Sequence, residues 1–146
     1  MIIHTDGGML RTNPGPAVWA FVVREQEGGE IIHVSSGHID DANSTNNVAE
    51  YRALIQALIF AEFKLPRPHT VQIRSDSKLI VNQVNGVWSV KHESMLGLWA
   101  ECVERIDALL LKGINVDLQH IHREENVEAD AECNRLKEEI SSAQVK

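Results

Sequence analysis

The chain opens on a short apolar run, Met1 to Thr5, that stops at Asp6 and two glycines. Two apolar-rich stretches follow, Ala17 to Arg24 (AVWAFVVR) and Glu30 to Ile39 (EIIHVSSGHI), separated by Glu27-Gly28-Gly29. Their length and punctuation predict strands, and the short connections predict two hairpins, hence a meander of three antiparallel strands. At Val48 the period changes. Tyr51, Leu54, Ile55, Leu58 and Ala61 recur at helical spacing to about Leu65, and Pro66 and Pro68 end the run. Thr70 to Arg74 predicts a fourth strand, followed by a short helix from about Ser77 to Val84 that Asn85-Gly86 breaks. Leu96, Trp99, Cys102, Val103, Ile106, Leu109 and Leu110 mark a longer amphipathic helix stopped near Gly113. Ile114 to Ile121 predicts a fifth strand. Ala129, Cys133, Leu136 and Ile140 mark a terminal helix, with a frayed tail expected from about residue 141. Strands joined through helices are expected to run parallel. The expectation is therefore an α/β fold: a five-stranded mixed sheet, three strands antiparallel and the rest parallel, with helices on both faces.

Composition adds bounds. A chain of 146 residues with 43% apolar content predicts one domain, 1–146, with a proper core. No apolar run approaches the ~20 residues of a membrane span, and no secretory signal is visible, so a cytoplasmic protein without a membrane partner is expected. Cys102 and Cys133 fall in helical patterns without metal-type spacing and read as buried, reduced core residues, which argues against zinc. The net charge of −7 argues against nucleic acid as a partner. A cluster of carboxylates that binds divalent cations carries the same sign, so charge leaves the matter open.

Each acidic candidate has an ordinary explanation. Asp6-Gly7-Gly8 and Asn13-Pro14-Gly15 are turn chemistry. Asp76 follows a strand and precedes a helix, where it suits an N-cap. Asn47 and Glu50 make a capping-box-like pair, and Asp130 suits the first turns of the last helix. Together they read differently. Asp6 and Asp76 both stand at carboxyl ends of strands, the place where open α/β sheets bind ligands at a switch point. Glu50 and Asp130 are each offset by roughly 100° from the centre of their helices' apolar stripes, so they look across the edge of the packed face. Four carboxylates in one cleft repel one another, and hard divalent cations relieve that repulsion. Two such ions about 3.5–4 Å apart form a clamp for in-line displacement at phosphorus. Gly7 and Gly8 would then let a sugar–phosphate strand approach the backbone.

These residues carry a family resemblance. Asp6-Gly-Gly with Asn13-Pro14-Gly15-Pro16, Thr45-Asn46-Asn47-Val48-Ala49-Glu50, Ser75-Asp76-Ser77-Lys78 and Asn126-Val-Glu-Ala-Asp130 resemble type 1 ribonuclease H, nearest to the shorter archaeal-type members in SDSKLIVNQVNGVW. The resemblance covers nearly the whole chain. It implies metal-dependent hydrolysis of the RNA strand of an RNA/DNA hybrid, leaving a 3′-hydroxyl and a 5′-phosphate, with two Mg²⁺ or Mn²⁺ ions when substrate is bound. By position, Asp6, Glu50, Asp76 and Asp130 match the family's metal site. Thr45 matches a threonine that holds a DNA-strand phosphate, and Asn46 an asparagine that touches the hybrid in the minor groove. Gly7 and Gly8 would offer backbone contacts to ribose, and Asn13 and Lys78 complete the expected substrate contacts. Arg123 or His120 would assist proton transfer or product release; Arg123 fits the archaeal-type spacing.

The departures concern binding. The loop from Asp6 to Asn13 is one residue longer than usual, and Val18-Trp19, where a small glycine is common, reads as packing. The segment Ser89 to Leu98 lacks a lysine-rich protrusion; only Lys91 and His92 remain, and no separate hybrid-binding domain is expected ahead of the catalytic part. Each lost phosphate contact weakens binding, so intact chemistry with low substrate affinity is expected of a monomer. Cleavage of double-stranded RNA and a non-catalytic hybrid-binding module are the alternatives. A two-carboxylate glycosidase would leave two of the acids unexplained.

Overall fold

A computed structural model describes residues 1–145, with side chains to residue 143. The elements follow the expected order: β1 (Ile2–Met9), β2 (Ala17–Arg24), β3 (Ile31–Ile39), α1 (Asn46–Lys64), β4 (His69–Ser75), α2 (Lys78–Val84), α3 (Glu93–Leu111), β5 (Ile114–His120) and α4 (Val127–Val145). A single 3₁₀ turn, Arg123–Glu125, precedes α4. The strands form one sheet in the order β3-β2-β1-β4-β5. β1 is antiparallel to β2 and parallel to β4, and β4 is parallel to β5.

β2 shows no alternation of polar and apolar residues because both of its faces are covered. Phe21 and Val23 join the larger core beneath α1, with Tyr51, Leu54 and Leu58, and α2 and α3 add Ile80, Val81, Cys102 and Leu109 to the same face. Val18 and Ala20 point the other way and pack against Cys133 of α4. Each fully buried aliphatic side chain of this kind contributes about 1.5–3 kcal/mol. Trp19 is a packing residue, as its sequence context suggests. Its indole stacks with Phe21 at 6.1 Å between ring centroids and lies where a Cβ on Gly37 would stand, 2.6 Å from it.

Four local readings change. Gly7 and Gly8 lie inside β1, paired with Trp19 and Val18 of β2, and form no turn. The antiparallel ladder runs on to Met9, although the parallel ladder with β4 stops at Thr5↔Ser75. The cap of α1 is Thr45, two residues before the expected Asn47, and its hydroxyl accepts the Val48 N–H at 3.2 Å. α3 begins at Glu93, and Leu96 and Leu110 face solvent at 46% and 59% exposure, so the stripe read there is narrower than expected. The tail expected to fray is helical through Val145, since Ser-Ser-Ala-Gln-Val contains no helix breaker; Lys146 lies outside the described residues.

Candidate active site

The mismatch of the two ladders opens the sheet. Beyond Thr5, β1 keeps β2 but no longer has β4 beside it, and Asp6 is the first residue past that point. Side chains alternate along the strand. Ile3 belongs to the α1-side core and Gly7 faces α1, whereas Gly8, and with it Asp6, faces α4. α1 crosses so close that a Cβ on Gly7 would lie 2.5 Å from the Ala49 carbonyl carbon and 2.6 Å from the Glu50 nitrogen. That contact delivers Glu50, whose Oε1 accepts the Gly7 N–H at 2.9 Å.

Asp76 follows the last residue of β4. It is not the cap of α2: Ser77 takes that role, its hydroxyl accepting the Ile80 N–H at 3.3 Å. Asp76 is instead steadied by Asn126, whose Nδ2 donates to the Thr5 carbonyl at 2.8 Å and to Asp76 Oδ2 at 3.4 Å. Asn126 is fully buried, so one side chain ties the approach to α4 to both β1 and the end of β4. From the first turns of α4, Asp130 completes the acidic set; Asn134 Nδ2 donates to its Oδ2 at 3.4 Å.

Asp6, Glu50 and Asp76 each bring a carboxylate oxygen within 4.8 Å of the other two. Asp130 lines the same cleft, of about 490 Å³, but stands outside that tight trio. The trio is electrostatically costly when empty. Burial, then the charges of Asp76 and Asp130, push the Asp6 carboxyl up to about 7. Burial, followed by Asp6 and Asp76, holds Glu50 well above the usual carboxylate range. Glu50 Oε2 is buried with no hydrogen-bond partner among the described residues. A bare, buried carboxylate oxygen among other carboxylates calls for a proton or a cation, and oxygen-only donors at this spacing suit a hard divalent cation.

The remaining sequence candidates fall into three places. Arg123, in the 3₁₀ turn, lines the acidic cleft; His120 and His122 are not among its lining residues and instead meet edge-on at 6.0 Å. Asn13, Thr45 and Asn46 meet in a second groove of about 300 Å³ that also includes Asn47, His92 and Ser94. The loop before β2 docks there: Gly15 N–H donates to the Ser44 carbonyl at 2.8 Å, and Asn13 Nδ2 to Asn46 Oδ1 at 3.1 Å. Asn46 and Asn47 line both grooves and make them continuous. Lys78 borders neither; its ammonium lies 6.0 Å from the Trp88 ring centroid.

Two contributors carry no signal in the sequence reading. Asn126 is visible there only as the first letter of a motif, and its tether role needs the fold. Lys137, two helical turns after Asp130, reads as one more charge on a solvated face, yet it lines the cleft. Beneath it Cys133 packs on β1, its thiol donating to the Asp6 carbonyl at 3.5 Å. Burial, then Asp6, keep that thiol protonated, as expected of a core cysteine.

Comparisons with known proteins agree with this geometry. A family model described as reverse transcriptase-like matches residues 4–136. The chain is 37% identical over 134 residues to the Bifunctional protein Rv2228c of Mycobacterium tuberculosis, covering 92% of this chain and 34% of that protein. It thus spans about a third of that relative's length. It is 30% identical over 129 residues to Ribonuclease HI of Campylobacter jejuni, covering 84% of this chain and 81% of that one. Among solved structures, LC11-RNase H1 in complex with an RNA/DNA hybrid superposes with a TM-score of 0.77 at 39% identity, over 92% of this chain and 94% of that one.

Proposed function

The chain belongs to the ribonuclease H family, and from that premise we propose that it is a metal-dependent endoribonuclease acting on the RNA strand of RNA/DNA hybrids. The observation that carries this reading is the trio Asp6, Glu50 and Asp76 in a cleft walled by Asp130 and Arg123. The adjoining groove of Asn13, Thr45 and Asn46 supports a duplex as the substrate, since it provides a second contact line beside the acidic one. In this reading water attacks phosphorus, the bond to the 3′-oxygen breaks, and the products carry a 3′-hydroxyl and a 5′-phosphate.

Asp6, Glu50 and Asp76 would hold divalent cations, Mg²⁺ or Mn²⁺, two of them with substrate present, and Asp130 would share in holding the second. Bound there, the cations supply an activated water and neutralise charge at the leaving oxygen. The chain's own groups do the rest. Gly7 N–H fixes one oxygen of Glu50 and leaves the other bare toward the trio. Asn126 keeps Asp76 from swinging out. Arg123 places a guanidinium at the wall, suited to a phosphate oxygen or the departing strand. The Thr45 hydroxyl accepts from Val48 N–H and so keeps its own proton for a phosphate of the DNA strand. Asn46, with donor and acceptor at the mouth, suits base and sugar edges in the minor groove, where the 2′-hydroxyl distinguishes RNA from DNA.

The test is gel-resolved cleavage of a labelled RNA/DNA hybrid with Mg²⁺, with Mn²⁺ and with chelator, for the wild type and Asp76→Asn. Metal-dependent cuts confined to the RNA strand that fall by at least about 10³-fold in the variant are expected, given what a displaced metal-site group costs. A wild type that binds hybrid without cutting it sinks the enzyme reading in favour of a binding module. Cutting of duplex RNA at a comparable rate would widen the substrate class.

A further inference from the structure

Gly8 has no side chain, and the space its Cβ would fill is occupied. An added Cβ would lie 2.7 Å from Lys137 Nζ and 2.8 Å from its Cε, so the end of the lysine side chain lies over Gly8, at the wall of the acidic cleft. Lys137 makes no hydrogen bond or ion pair among the described residues. Arg24, Arg74, Arg105, Lys112 and Arg135 all pair with carboxylates. A cation that lies in a cleft with four acids and pairs with none is available to a ligand.

Its position says which. Gly8 stands two residues beyond Asp6 on the same face of β1, about 6.6 Å along the strand. That is close to the step between neighbouring phosphates of one nucleic-acid strand. On α4, Lys137 lies seven residues past Asp130, two turns or about 10.5 Å along the axis, so both side chains look into the same cleft. We propose that Lys137 is a substrate-binding residue, its ammonium holding the phosphate next to the scissile one on the cut strand, and that Gly8 is bare in order to seat it. This deepens the endoribonuclease reading and rests on it.

The pairing of Gly8 with Lys137 makes the test specific. Lys137→Ala, Lys137→Arg, Gly8→Ala and the double variant Gly8→Ala/Lys137→Ala are compared by Michaelis kinetics on the hybrid. Anisotropy of a labelled hybrid in chelator, titrated with salt, gives a readout independent of turnover. Lys137→Ala is expected to raise KM by about tenfold, the scale of one charged hydrogen bond, with far less effect on kcat. It should also flatten the plot of log affinity against log salt by about 0.7–0.9, one phosphate contact. Lys137→Arg should retain most of the affinity. Gly8→Ala meets only the flexible end of the lysine, so it should cause a smaller loss of the same kind and add nothing in the double variant. An unchanged salt slope in Lys137→Ala overturns the proposal, as does a loss from Gly8→Ala that persists undiminished without the lysine. A wild type that does not cut hybrid overturns the enzyme reading instead, and the salt slope still decides whether Lys137 holds a phosphate.

Discussion

Asp6 keeps its proton to about pH 7 in the metal-free fold, chiefly because it is buried and secondarily because Asp76 and Asp130 face it. The unfolded chain releases that proton near pH 4. A carboxyl whose affinity for protons is raised on folding stabilises the protein fully below its unfolded value, and that contribution disappears as pH rises through its folded value. Glu50 shifts in the same direction. In chelator, Asp6→Asn should therefore melt like the wild type near pH 4 and on the order of 5 °C higher at pH 8. Differential scanning calorimetry across that range checks it, and a constant difference at every pH would show that Asp6 is not the titrating group. Saturating Mg²⁺ at pH 8 should remove the variant's advantage, because the wild type then gains what the Asn cannot.

At the scale of elements, the fit of α1 over β1 depends on Gly7. A methyl group there meets the Ala49 and Glu50 backbone, which cannot rotate away as a side chain would. Gly7→Ala should cost about 1–3 kcal/mol in urea denaturation. It should also lower kcat by more than the stability loss explains, since it displaces Glu50. A variant as stable and as active as the wild type would refute the tight crossing. Thr45→Ala should cost a further kind of loss, about 1 kcal/mol of helix capping, whatever the effect on substrate.

The same scale shows what the sequence discloses. Element order and strand number are legible because Tyr51, Leu54 and Leu58 keep a helical period and AVWAFVV is a short apolar run bounded by turn residues. The four acids are legible because each falls where the sequence pattern changes, although Asp6 lies inside β1, just past the point where its ladder with β4 ends. The interior of β1 is not: glycines inside a strand look like a turn unless one sees the helix that needs the space. The Thr45 cap is missed by two residues because the capping-box pattern of Asn47 and Glu50 is present, while Glu50 is drawn to Gly7 instead. The roles of Lys137 and Asn126 are invisible for a different reason. Their partners, Gly8 and Thr5, lie more than a hundred residues earlier, and no local pattern encodes that contact.

For the molecule as a whole, charge decides how substrate is met. Twenty-one acidic residues against fourteen basic ones leave a net −7, so long-range attraction to nucleic acid is absent. Arg123 and Lys137 line the cleft, and His92 the adjoining groove. Binding of a hybrid should accordingly show a shallow salt dependence, a slope of about −2 to −3 in log affinity against log salt, as two to four phosphate contacts give. Fluorescence anisotropy at constant Mg²⁺ measures it; a slope steeper than about −5 would require a basic surface that the grooves do not provide. No helix among the described residues is long and apolar enough to cross a membrane.

The carboxylates of the cleft come from the first strand, the first helix, the end of the fourth strand and the last helix. An ion seated among them would act as a crosslink that joins distant stretches of chain. Its release would remove that joint from all of them at once, so β1 and α4 would be fastened or loosened together. Protease resistance of α4 should thus report on an ion held largely by residues outside it.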